Sequence, residues 1–152
     1  MVDILHRIGV QGRTPHDVYT ALATRDGLAG WWTEKTKGES AIGEVIVFTF
    51  DEDGVEIGTI GMLVRDLAQD QLEKWEVVDG PAEWIGTTVT FEIRQDGDYT
   101  IVLFAHAGWA EPVEFMHHCS TKWATFLLSL RSLVGTGTGL PAPHDVKISN
   151  WH

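Results

Sequence analysis

The chain is poor in cysteine and in positive charge. A single cysteine in 152 residues rules out an internal disulfide and suits a reducing cytoplasm. Lysines and arginines number 11 against 22 acidic residues, a formal charge of −11. That deficit argues against nucleic acid and anionic membrane surfaces as partners, since both are held by basic patches. No stretch approaches the roughly 20 apolar residues of a membrane-spanning helix. Asp3, His6 and Arg7 interrupt any apolar core of a signal peptide at the start. Internal repeats are missing, as are a glycine-rich phosphate loop and a serine–histidine–aspartate pattern. Asp51-Glu52-Asp53-Gly54 lacks the roughly 12-residue ligand pattern of a calcium loop and reads as a solvated turn.

What is present describes one globular domain. The hydrophobic fraction is 43% and the charged fraction 22%, both ordinary for such a domain, and the length fits one core. The strongest signal is Pro112 to Val134, where Met116, Cys119, Trp123, Phe126, Leu127, Leu130, Leu133 and Val134 recur at helical spacing and form one broad apolar stripe. Ahead of it the pattern is mostly strand. Val2 to Val10 alternates, with Val2, Ile4, His6, Ile8 and Val10 on one face. Glu44–Phe50, Glu56–Val64, Leu72–Val78, Thr87–Arg94 and Tyr99–Ala107 follow as further strands. Gly58 and Gly61 mark bulges in the third strand, and Asp66 to Asp70 reads as a turn. Short connections make the sheet antiparallel.

Between the first two strands, Thr14-Pro15-His16-Asp17 is a helix start: a threonine N-cap, a proline where no amide is needed, and an acid in the first turn. Asp26-Gly27 is expected to break that helix, with Leu28, Trp31 and Trp32 in a second short one. Residues 1–134 thus form the domain, followed by a tail over 135–152. The tail opens with a flexible Gly135-Thr136-Gly137-Thr138-Gly139 linker, yet Val146, Ile148 and Trp151 make its end too apolar to hang free. It is expected to dock on the domain or on a partner.

This order of strand, helix pair, strands and long helix resembles the START-like and Bet v 1-like (SRPBCC) superfamily. Within it, the chain is most similar to the branch named after the activator of Hsp90 ATPase. The residues carrying the resemblance are Leu28-Ala29-Gly30-Trp31-Trp32-Thr33, Gly80 to Thr87, Phe104 to Trp109, and His118 to Trp123 with Phe126 to Leu130. The resemblance implies an α+β helix-grip fold, a curved antiparallel sheet wrapped around a long C-terminal helix, with two short helices after the first strand. It also implies a hydrophobic cavity between sheet and helix. The superfamily hosts carriers, receptors, cyclases and co-chaperones, so fold alone does not select a function.

Eight residues are candidates for lining such a cavity: Trp32, Trp75, Phe91, Phe104, Met116 and Trp123 as apolar wall, His106 and Ser120 as polar anchors. The competing reading of the aromatics is plain core packing, and that of His106 a buried, hydrogen-bonded imidazole. Glu73 shares a strand face with Trp75 and, if buried, has a raised pKa. His117-His118-Cys119 points in three directions on a helix, against the spacing metal ligands need. No metal, no cofactor and no catalytic residue is assigned. The leading expectation is a domain binding a hydrophobic small molecule, apolar or aromatic or lipid-like. The alternatives are an activator of an Hsp90-type ATPase and an enzyme of cyclase or hydrolase type using the same cavity. An exposed strand edge or the tail makes a homodimer plausible.

Overall fold

The computed structural model describes all 152 residues. Strand β1 spans Val2–Gln11, helices α1 and α2 span Pro15–Ala23 and Arg25–Trp31, and strands β2 to β7 span Lys35–Lys37, Val45–Glu52, Val55–Ala68, Leu72–Asp79, Thr88–Asp96 and Tyr99–Trp109. Helix α3 spans Glu114–Thr136. The sheet has seven strands in the order β1-β7-β6-β5-β4-β3-β2, and every neighbouring pair is antiparallel. Only the β7-to-β1 neighbour is far apart in sequence, so most of the sheet is a meander. Strand β4 carries register shifts at Gly61/Met62 and Val64/Asp66, and such bulges bend a strand.

The start of α1 is a full capping box: the Thr14 hydroxyl accepts from the Asp17 amide and the Asp17 carboxylate accepts from the Thr14 amide. The break between helices falls at Thr24 rather than at Asp26-Gly27. Thr24 is extended and its hydroxyl accepts from the Gly27 amide, so it caps α2 and leaves Asp26 and Gly27 inside the first turn. Three further strand expectations are corrected. β2 is an additional short strand, flanked by lysines and without a hydrophobic pattern to announce it. β4 runs on to Ala68, with Asp66 opposite Lys74 and Ala68 opposite Leu72, so the turn shrinks to the residues around Asp70. Asp51 and Glu52 belong to β3 and not to a solvated turn. The reversal there is Asp53-Gly54, both at positive φ (53° and 78°), as a tight hairpin turn requires.

The inward faces follow the two-residue period. Glu73, Trp75 and Val77 of β5, Val89, Phe91 and Ile93 of β6, and Val102, Phe104 and His106 of β7 are all buried. Cys119, Trp123, Phe126, Leu127 and Leu130 of α3 are buried too, with Met116, Leu133 and Val134 packed at the margin. Gly135 and Thr136, expected in a linker, are the last residues of α3. Gly137, in the left-handed region, ends it by returning its amide to the Leu133 carbonyl. The chain then crosses α2 and α3 at Gly139. A Cβ there would lie 2.3 Å from the Gly30 carbonyl oxygen, so only glycine fits. Buried Ser129 ties the crossing together: its hydroxyl donates to the Trp31 carbonyl (2.9 Å) and accepts from the Leu140 amide (2.8 Å).

Candidate functional site

Tryptophans and phenylalanines fill the middle of the grip. The Trp32 ring stacks on Trp75 (centroids 5.9 Å apart, planes 7°) and lies 5.0 Å from Trp123. Phe91 meets Trp75 at 5.2 Å and Phe104 at 5.3 Å, and Phe104 meets Trp123 at 4.6 Å. Trp31 lies on the far side of Trp32, its indole donating to the Ala21 carbonyl. Both adjacent tryptophans, about 100° apart around the helix end, are buried, and of the two Trp32 is the one whose ring borders open space.

The open space is a cleft of about 550 Å³ at one end of the grip, within the range of small-molecule sites. Its floor is Trp32 and Trp123. The cleft-facing row of α3 (Phe115, Cys119, Lys122 and Phe126) makes one side, and Phe50, Asp51 and the strand segment Ile57–Ile60 make another. The segment Asp79–Pro81 with Trp84 bounds it further, and Asp145, Trp151 and His152 of the tail complete the wall.

Of the eight candidate residues, Trp32 and Trp123 line this cleft. Trp75, Phe91 and Phe104 do not: they form a second layer, covered by the two lining indoles. Ser120 faces β1, where its carbonyl oxygen accepts from His6 Nε2 (3.1 Å). Met116, one turn earlier on the same helix row, is partly buried against the core and is not on the cleft. The cleft-facing row is set about one residue away from the Met116–Ser120 row, a rotation of about 100°. An amphipathic stripe more than 100° wide cannot reveal which of its rows meets a cavity.

His106 lies behind the cleft and is fully buried. Its Nδ1 accepts from the Trp123 indole (3.1 Å), which places the proton on Nε2, and Nε2 donates to the Thr87 hydroxyl (2.8 Å). That hydroxyl donates in turn to the Trp84 carbonyl. The relay satisfies every member and locks α3, β7 and the loop before β6 together. Burial holds the His106 pKa down to about 3, so the imidazole is neutral and positions Trp123 rather than moving protons.

Sequence reasoning missed the ionic part of the cleft. Asp145 pairs through Oδ2 with Lys122, and the two side chains are only 3% and 12% exposed. His152 also reaches Asp145 Oδ2, at 3.2 Å. Asp51 pairs through Oδ2 with Lys35. Burial, with Lys122 beside it, pushes the His118 pKa below its ordinary value. Burial also pushes the Cys119 thiol up to about 12, which removes it as a nucleophile near neutral pH. The tail itself is hydrogen-bonded: the Ala142 amide donates to the Trp32 carbonyl (2.8 Å) and the Glu34 amide to the Ala142 carbonyl (3.0 Å). The Trp151 ring packs 5.6 Å from His118. The apolar end of the tail was the available signal for its part in the wall, and nothing in its spacing names Asp145. Glu73 is wholly buried but away from the cleft, with the Ser40 hydroxyl donating to Oε2 (2.5 Å). No three histidine, cysteine or acidic side chains converge as a metal site would need, and no helix is long and apolar enough to cross a membrane.

A curved antiparallel sheet gripping one long C-terminal helix, with two short helices after the first strand, defines the helix-grip class of Bet v 1-like, START-like domains. Within that class the chain belongs to the activator of Hsp90 ATPase homolog 1-like family, whose model matches residues 13–135. It is similar to the Aha1 dimer from Colwellia psychrerythraea, solved in solution, at 38% identity and a TM-score of 0.80, covering 91% of this chain and 100% of that one. It shares its fold with SSP2350 from Staphylococcus saprophyticus (15% identity, TM-score 0.72, 93% and 98% covered). It also shares it with CalU16 from Micromonospora echinospora (16% identity, TM-score 0.70, 93% and 77% covered). No protein of curated function matches the sequence significantly.

Proposed function

We propose that this domain binds a small apolar or aromatic molecule in the cleft bounded by α3, the β3–β4 hairpin and the tail. The observation that carries the reading is the cleft of about 550 Å³ with Trp32, Trp123, Phe50, Phe115 and Phe126 on its walls. Large apolar surface left open beside a few polar groups is how such sites are built. The test is native mass spectrometry of freshly purified protein with extraction of bound compounds, followed by thermal melts with what is recovered. A ligand at 100 times its Kd adds about 2.7 kcal/mol of stability. A clean apo mass, with no apolar compound raising the melting temperature, counts against the reading.

A second reading rests on the family and on the 38% identity to the Colwellia protein: activation of an Hsp90-type ATPase through the outer surface. The rate of ATP hydrolysis by such a chaperone, with and without this chain, decides it. The same relative supports a homodimer, which sedimentation equilibrium tests.

A further inference from the structure

The outward face of the sheet carries an apolar stripe that contact with water does not explain. Where one side of an antiparallel sheet meets solvent, the outward residues of each strand are mostly polar. On β6 they are, with Thr88, Thr90, Glu92 and Arg94 alternating against buried Val89, Phe91 and Ile93. On β7, which lies between β6 and β1, the outward residues are Ile101, Leu103, Ala105 and Ala107, none of them polar. Ile101 lies over Gly9 and is buried there, but the other three are only partly covered. Opposite Ala105 on β1 stands Leu5, 69% exposed. Around them is a hollow of about 480 Å³ lined by Leu5, Arg7, Thr90, Glu92, Leu103 and Ala105, with inward-facing His6 and Phe104 completing it. All eight belong to these three strands, so no helix or loop of the chain covers it.

The charges on this face suit a second copy of the chain. Outward on the three strands, Asp3, Glu92 and Asp96 are acidic and Arg7 and Arg94 basic, nearly balanced in a chain of formal charge −11. Two copies therefore meet here with little of the repulsion they feel elsewhere. Register places Leu5, Ala105 and Thr90 in one row across β1, β7 and β6, and Arg7, Leu103 and Glu92 in the next. Within one chain Arg7 reaches only Asp96, at 3.9 Å, with both side chains more than half exposed, and exposed Glu92 is left without an ion pair. We infer that two copies pack these faces together about a two-fold axis running along β7. That axis brings each Leu5 over the partner's Thr90, inside the hollow, and each Arg7 over the partner's Glu92, while Leu103 and Ala105 meet their own counterparts. Such a contact is isologous and closes at two copies. Aligned sheets pack about 10 Å apart, a gap that Leu5 and Leu103 fill. The inference rests on the homodimer reading above and assigns its surface.

Sedimentation equilibrium of the full chain, from low micromolar to several hundred micromolar, tests it. Leu5, Arg7 and Glu92 are all exposed, so their replacement leaves the fold in place, which circular dichroism checks. Leu5→Asp is expected to raise the dimer dissociation constant about tenfold or more, because each copy then buries an unpaired charge against the other. Arg7→Glu and Glu92→Arg alone should each weaken the dimer as much, since either change sets like charges opposite each other twice. An equimolar mixture of those two variants restores both opposite-charge pairs and should dimerise about as tightly as the natural chain. Leu128→Ser, at the exposed apolar site that α3 and the tail share, should leave the constant unchanged. A chain that stays monomeric throughout overturns both this surface and the homodimer reading. A dimer that Leu5→Asp leaves intact, or that Leu128→Ser breaks, overturns the surface and leaves the homodimer standing. Two weakened variants that do not recover on mixing overturn the two-fold arrangement along β7.

Discussion

Glu73 offers the sharpest quantitative test of the packing. Its residue is wholly buried, opposite Phe91 on β6 and Leu67 on β4. The Ser40 hydroxyl donates to Oε2, the Trp75 indole beside the carboxyl group also favours its charged form, and Oε1 has no well-formed hydrogen bond. Desolvation therefore outweighs the Ser40 bond and lifts the pKa from 4.5 to about 8. In the unfolded chain the group titrates near its ordinary value. Below that value both states hold the proton and no penalty arises. Between the two values the folded state retains a proton that the unfolded state has released, so stability falls as pH rises. The slope is about 1.4 kcal/mol per pH unit, and the loss is complete above the folded pKa. Glu73→Gln is nearly isosteric and cannot ionise. Its stability relative to the natural chain should climb by about 4 kcal/mol between roughly pH 5 and pH 9. Urea unfolding of both proteins across that range, analysed as a difference, isolates Glu73 from every other titrating group. A difference that stays flat with pH would refute the reasoning, since it requires an ionised, hydrated carboxylate where the structure has a dry one.

Three further outcomes are expected. Trp123→Ala removes a 2%-exposed ring from the floor of the cleft and should cost about 3–5 kcal/mol in denaturant unfolding; a loss below about 1 kcal/mol would put Trp123 in a wet site. Thr87→Val leaves His106 Nε2–H without its acceptor, while the Trp84 carbonyl keeps the Thr87 amide, and should cost about 1–3 kcal/mol in the same unfolding measurement. In the natural chain, imidazole ¹⁵N shifts of His106 should stay those of the neutral Nε2–H form from neutral pH down to about pH 4, because its pKa of about 3 lies below the unfolded value; the stability the neutral ring contributes is then present above about pH 6.5 and lost as pH falls toward 3. Cys119, with its thiol at about 12 and 4% exposure, should react with thiol reagents roughly a thousandfold more slowly than an exposed cysteine, measured by timed alkylation in native and denatured protein.

Much of the architecture was legible because its signals are local. Thr14, Pro15 and Asp17 specify a helix start through bonds spanning three residues. The alternation of Glu73, Trp75 and Val77 gives a strand face, and the shared parity of Phe104 with His106 places both inward once β7 pairs with β6. What was misread depends on partners distant in sequence. β2 is a strand only because Lys35 to Lys37 lie against Val47 to Thr49, and β4 continues through Asp66 only because a bulge lets it keep pairing with Lys74. Thr24 caps α2 by a contact no hydrophobic pattern reports.

The candidate site divides along the same line. By itself the sequence determined a sheet rich in inward aromatics, one long amphipathic helix, an apolar tail end, and a family resemblance that fixes how these assemble. Those features follow from periodicity and from bonds between near neighbours. Which aromatics touch open space was decided only in three dimensions. Trp32 and Trp123 are large enough to cover Trp75, Phe91 and Phe104, so the grip is solid at its centre and open at one end. The row of α3 that faces the opening, the meeting of Asp145 with Lys122, and the closing of the wall by Trp151 and His152 all depend on the path of the tail across Gly30 and Ser129. Close packing of side chains remote in sequence sets that geometry, and a one-dimensional pattern carries no record of it.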